Sequence, residues 1–259
     1  MATSRVNEAQ ALLLWYAAMG VDEAIGEAPV DCFAAVVEPS PAPASQVKGI
    51  ARPLPVSAPL LKTGPGSAAA RNAATLAELE ALVAAFEGCA LKRTAKSLCF
   101  ARGREDARIM LIGEAPGRDE DLKGKPFVGR AGQLLDRMLA AIGLSENQVY
   151  ITNTVYWRPP GNRTPTPEEV EACAPFLARQ IELLDPQVLV LLGGAAAKNI
   201  LGMAEGIMRL RGKWLNYACA GRDIATLPTL HPAFLLRNPE HKRLAWRDLL
   251  LVKERLEQQ

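Results

Sequence analysis

Apolar residues recur along the chain at two spacings, and their alternation predicts the fold. Leu76, Leu79, Leu82, Val83 and Phe86 fall at helical intervals behind Thr75-Leu76-Ala77-Glu78, a capping-box pattern that starts a helix. Residues 108–112 then form a short near-continuous apolar run, the pattern of a strand buried on both faces. A helix follows at about 130–142, with Leu134, Leu135, Met138, Leu139 and Ile142 on one side. A second strand is predicted at 149–155, a helix with proline at its start at 167–184, and a third strand at 187–192. Gly193-Gly194-Ala195-Ala196-Ala197 opens a helix running to Leu201. Shorter strands are expected at 207–215 and 223–229, one turn at 232–236 and a last helix at 239–256. Strands alternating with helices of these lengths predict an α/β fold, a three-layer α/β/α sandwich around a mainly parallel sheet.

Upstream the pattern changes. Leu12, Leu13, Trp15, Tyr16 and Met19 suit an amphipathic helix within residues 1–25. From 26 to 70 proline recurs among alanine, serine and glycine, and so little apolar surface cannot offset the entropy of ordering. That stretch reads as a flexible linker, and 71–259 as the main domain, its first helix capped by Thr75. Arg5, Glu8 and Gln10 break any signal-peptide pattern and no run of eighteen apolar residues exists, so a cytoplasmic protein with no membrane partner is expected. Five cysteines at irregular spacing argue against a disulfide framework. A net charge of +2 makes any nucleic-acid surface a local patch rather than a global field.

Candidate chemistry gathers where the first strand ends. Gly113-Glu114-Ala115-Pro116-Gly117 stops the strand and leaves a carboxylate past its carboxyl end, the edge where open α/β sheets bind ligands. Pro126-Phe127-Val128-Gly129-Arg130-Ala131-Gly132 places a ring on a glycine-rich loop that opens a helix. A carboxylate near a flat ring suggests a pocket for a planar heterocycle. Neither G-x-G-x-x-G nor a P-loop follows the strand, which ranks an ordinary nucleotide-binding enzyme last. The basic stretch 90–96 reads on its own as a solvated loop.

Taken together and in order, these two pieces, Ile151-Thr152-Asn153, 158–165 (Arg-Pro-Pro-Gly-Asn-Arg-Thr-Pro) and Leu230-His231-Pro232 resemble the motifs of family 4 uracil-DNA glycosylases, over roughly residues 80 to 255. The resemblance implies a DNA repair glycosylase that hydrolyses the N-glycosidic bond of uracil in single- or double-stranded DNA, acting as a monomer. The alternative is a uracil- or abasic-DNA binding protein of the same superfamily with weak turnover. It further implies that Glu114, Ala115, Pro116, Phe127, Asn153 and His231 surround the flipped base. Asn153 would match uracil O4 and N3–H, Phe127 would stack on the ring, and His231 would bond O2 as negative charge builds. Glu114 would position water or support the cationic sugar. Gly117 stands where other families place a tyrosine that excludes thymine. Lys125, Arg130, Arg163, the helix start at Gly194, and Arg237 are the implied phosphate contacts, and Leu235 or Leu236 the wedge that fills the emptied stack.

The family typically holds a 4Fe-4S cluster on four cysteines. Here Cys89 and Cys173 match two of those positions, while Phe86 and Trp157 occupy the others. Two thiolates cannot satisfy a four-ligand cluster. No cofactor is therefore expected, the alternative being a cluster completed by Cys99 or Cys219, and the corner should be an apolar plug holding two buried thiols.

Overall fold

Four apolar runs form the middle of one sheet. They are β3 (Ile109–Gly113), β4 (Val149–Asn153), β5 (Val188–Leu192) and β7 (Arg222–Thr229), adjacent in the order β7-β5-β3-β4 and all parallel. The computed structural model describes residues 55–56 and 66–258. The expected helix within 1–25 and most of the 26–70 linker lie outside the described residues. Antiparallel β6 (Leu215–Cys219) pairs with β7, and β1 (Pro55–Val56) lies parallel to β6 at that edge. Antiparallel β2 (Arg102–Gly103) closes the other edge beside β4.

Side chains of a strand alternate between faces, so each run feeds two cores. Met110, Ile112, Leu189 and Leu191 pack on one face under α5 (Pro167–Leu184) and α6 (Gly194–Leu201). Ile109, Leu111, Val188 and Val190 pack on the other under α4 (Arg130–Ala141) and α9 (Lys242–Glu257). Full burial of each such side chain contributes roughly 1.5–3 kcal/mol. The three-layer expectation therefore holds, with helices on both faces. A third cluster fills a corner where α1 (Ser67–Arg71) and α2 (Leu76–Ala85) pack on α5, enclosing Cys89, Trp157, Cys173 and Phe176. No helix among the described residues is long and apolar enough to cross a membrane.

Thr75 caps α2 as its sequence implies, its hydroxyl accepting from Glu78 N at 3.1 Å. Thr166 and Glu169 form the reciprocal cap of α5. Three local expectations change. Residues 207–210 form a helical turn, α7 (Ile207–Leu210), instead of a strand. Gly212, at φ +69°, bends the chain there, and its N–H donates to Pro228 O. The charged stretch after Gly117, to which the spacing assigns no element, forms α3 (Arg118–Lys123). Its first turn carries Asp119, Glu120 and Asp121, which complement the helix dipole. Finally, ordered structure reaches upstream of residue 71: α1 packs on α5 with Ala70 buried, and Pro55–Val56 extends the sheet.

Candidate active site

The carboxyl ends of β3, β4 and β7 meet at one rim. Register pairs Gly113 with Asn153 there, and β7 ends at Thr229, two residues before His231. Above the rim lies a cavity of about 470 Å³, lined among others by Glu114, Phe127, Asn153, Arg163, His231 and Arg237. Ala115 and Pro116 also line it.

Asn153 forms its floor. The residue is 1% exposed, and neither its Nδ2 nor its Oδ1 has a partner. Each buried polar group left unmade costs roughly 1–3 kcal/mol, so this amide is held in reserve for something that fills the cavity.

Phe127 stands beside it because glycines clear the way. A Cβ at Gly113 would lie 2.5 Å from both Phe127 Cζ and Asn153 Oδ1. The backbone at Phe127 is left-handed, φ +54°, and its carbonyl sits where a Cβ of residue 132 would be, at 1.7 Å, so only Gly132 fits. The Glu120 carboxylate accepts N–H bonds from Gly117, Val128 and Gly129 at 3.1, 2.9 and 2.8 Å, and so ties the two motif loops together. On the other side Thr154 Oγ1 donates to Glu114 O at 2.7 Å, fixing the backbone that carries the half-buried Glu114 side chain.

His231 closes the group, its ring centroid 5.6 Å from that of Phe127. It caps α8 (Pro232–Arg237), Nδ1 accepting from Ala233 N at 3.0 Å. An Nδ1 that accepts carries no proton, so the neutral ring bears its hydrogen on Nε2. Burial, with the Arg237 guanidinium second, depresses its pKa to about 4. Two residues upstream Thr229 Oγ1 donates to buried Asp248 at 2.6 Å, and Asp248 also pairs with Arg211, so the strand end that aims His231 is anchored.

Of the candidate phosphate contacts, Arg163 and Arg237 line the cavity, and Lys125, Arg130 and Gly194 are not among its lining residues. Lys125, Arg130 and Arg237 are exposed, and Gly194 begins α6 beside Ile207. Arg163 is already engaged: its guanidinium bonds both Glu169 oxygens, at 2.8 and 2.6 Å, and this pairing holds the Glu169 carboxyl below its usual range. A phosphate there would have to share it. Leu235 corrects the expectation of a wedge. It is 1% exposed and packs with Leu134, Leu230 and Ala245, because helical spacing turns Pro232 and Leu235 inward together. Leu236, half-buried, is the one of the pair with surface to offer.

The corner matching the cluster positions does not fit a cluster. The Cys173 thiol donates directly to Cys89 Sγ at 3.9 Å. Phe86 stacks edge-on against Phe176, centroids 4.9 Å apart, and Trp157 is buried. These rings offer no lone pair to iron, and the two thiols that remain supply half the donors a four-ligand cluster takes.

Glu120, Thr154 and Asp248 escape sequence reasoning, as does the room that Gly113 and Gly132 leave for Phe127. Their roles depend on loops meeting in space, although the Glu-Ala-Pro-Gly run and the Phe-Val-Gly loop each mark where to look.

Residues 100–250 match the family model of the uracil DNA glycosylase superfamily. The chain is 47% identical over 156 residues to a type-4 uracil-DNA glycosylase of Archaeoglobus fulgidus, covering 59% of this chain and 78% of that one. The type-4 enzyme of Saccharolobus solfataricus is 43% identical over 173 residues, covering 65% and 80%. That of Thermotoga maritima is 42% identical over 168 residues, covering 64% and 86%. A family model matched over more than half of the chain, together with these identities, shows that the chain belongs to the uracil DNA glycosylase superfamily.

Proposed function

We propose that this chain is a uracil-DNA glycosylase whose cavity receives a uracil turned out of single- or double-stranded DNA, releases it and leaves an abasic site. The observation that carries the reading is Asn153, a buried amide with both polar atoms unmet at the floor of the cavity. Its Nδ2 donates to uracil O4 and its Oδ1 accepts from N3–H. Cytosine reverses both polarities and would leave the amide unpaired, a mismatch that discriminates strongly. Phe127 stacks on the base. As the glycosidic bond lengthens, electrons move onto the pyrimidine, and His231 Nε2–H donates to O2 without giving up its proton. Glu114 faces the sugar, where its carboxylate supports the oxocarbenium-like carbon and orients the water that adds to it. Lys125, Arg130 and Arg237 hold flanking phosphates, and Leu236 enters the vacated stack.

No step runs through a metal or cluster, and we propose that excision needs none. A uracil-containing oligonucleotide, incubated with protein and cleaved by alkali, tests the reading. Wild type should cut at the uracil. His231→Ala should slow single-turnover excision roughly 100- to 1000-fold, the usual cost of one anion-stabilising donor. Asn153→Asp should lose uracil excision while retaining its fold by circular dichroism. Tight binding of uracil DNA by wild type without cleavage would replace the enzyme with a binding protein.

A further inference from the structure

Cys89 and Cys173 are 84 residues apart in sequence, yet one thiol hydrogen-bonds the other at 3.9 Å. They join the loop after α2 to α5, in the cluster that also holds Trp157 and Phe176. Both cysteines are buried, but Cys89 sits on a surface loop whose flanking Gly88 and Ala90 are exposed. The glycosylase chemistry uses neither sulfur.

We propose that Cys89 and Cys173 form a peroxide-reactive dithiol that closes reversibly to a disulfide, an oxidative modification site behind the rim of the cavity. The sulfurs must approach from 3.9 Å to about 2.05 Å, a closure within reach of side-chain rotation and a small shift of the surface loop. Cys89 lies on the loop between exposed Gly88 and Ala90, while Cys173 is enclosed within α5, so Cys89 is the sulfur that peroxide reaches first. That sulfur attacks hydrogen peroxide. An S–O bond forms, the O–O bond breaks, and one water leaves, giving a sulfenic acid. Cys173 then attacks this sulfur, the S–S bond forms, and the oxygen departs as a second water. Two electrons pass from the thiols to the peroxide, and an added dithiol returns them. The cross-link would brace the wall that carries Trp157, next to Arg158 and the loop leading Asn162 and Arg163 to the cavity. Asn153, Phe127 and His231 are untouched, so the inference stands apart from uracil recognition.

The test uses purified full-length protein, with hydrogen peroxide or with dithiothreitol, then alkylation and non-reducing tryptic mapping. Expected is a linked pair of peptides containing Cys89 and Cys173, an intact mass lower by about 2 Da, and reversal by dithiothreitol. Cys99, whose thiol burial pushes up to about 12 and which donates to Glu120 O, should stay reduced. Cys89→Ala and Cys173→Ala, each folded by circular dichroism, should both lose the cross-link. Thermal unfolding of the oxidised wild type should rise by about 5 °C or more, since closing a long loop restricts the unfolded chain. Recovery of both cysteines as alkylated thiols after peroxide overturns the proposal, as does their pairing with other cysteines or conversion to sulfonic acids. An unchanged unfolding temperature in cross-linked protein overturns the bracing.

Discussion

A single nitrogen decides how the histidine works. Because Nδ1 is committed to the Ala233 amide, only Nε2 faces the cavity with a hydrogen, and the ring stays neutral down to about pH 4. Excision should therefore show no break near 6.5, the pKa of an ordinary histidine. Single-turnover rates should stay level as pH falls from 8 to about 5 and then drop as protonation of Nδ1 breaks the cap. A sigmoid centred near 6.5 that vanishes in His231→Gln would overturn the neutral donor. Stability carries the same sign. The folded pKa lies below the unfolded one, so between 6.5 and about 4 the unfolded chain binds the proton that the folded chain refuses. The contribution of this group is intact above 6.5 and is lost as pH falls toward 4. Wild type should accordingly lose stability relative to His231→Gln over that window, measured by denaturant midpoints at constant slope.

The short helix α8 divides its labour by periodicity. Pro232 and Leu235 face the core, while Leu236 and Arg237 remain on the outer side. Leu235→Ala should cost about 2–5 kcal/mol of stability through the cavity it leaves, with excision per folded molecule nearly unchanged. Leu236→Ala should leave unfolding almost unaffected and slow excision from double-stranded DNA at least tenfold more than from single strands, where no stack needs filling. Equal loss on both substrates would remove the wedge. The long elements were legible because pattern and end signals agree: α5 begins at the proline behind Thr166 and ends at Leu184, as its spacing implies. The short ones were not. Residues 207–210 carry Ile and Leu at positions that suit a strand or a turn of helix equally, and only the bend at Gly212 decides. Of the site, Asn153, Phe127 and His231 could be read because motif order points to them. The Glu120 carboxylate could not, because its three backbone donors come from two loops that only the fold brings together.

At the scale of the molecule, four bodies of packing among the described residues serve one rim, the smallest being Leu134, Leu230, Leu235 and Ala245 under α8. The two sheet faces hold β3, β4 and β7 in register, and the corner cluster carries the chain beyond β4 toward Trp157 and Arg158. In a relative with a cluster, metal–thiolate bonds would fasten that corner. Here aromatic surface does so: Phe86 folds over Gly88 and against Phe176, and Trp157 is buried beside both thiols. Apolar packing is insensitive to chelation and sensitive to side-chain volume, and the two supports can be told apart on that basis. Prolonged incubation with an iron chelator under reducing conditions should leave both the unfolding midpoint and uracil excision unchanged. Trp157→Ala should lower stability by about 3–5 kcal/mol, the usual cost of deleting a buried aromatic ring. Because the segment that follows brings Asn162 and Arg163 to the cavity, the excision loss of this variant should appear mainly as weaker DNA binding, with the rate at saturating enzyme falling less. A midpoint that drops on chelation while tolerating Trp157→Ala would mean that metal, not packing, holds the corner together.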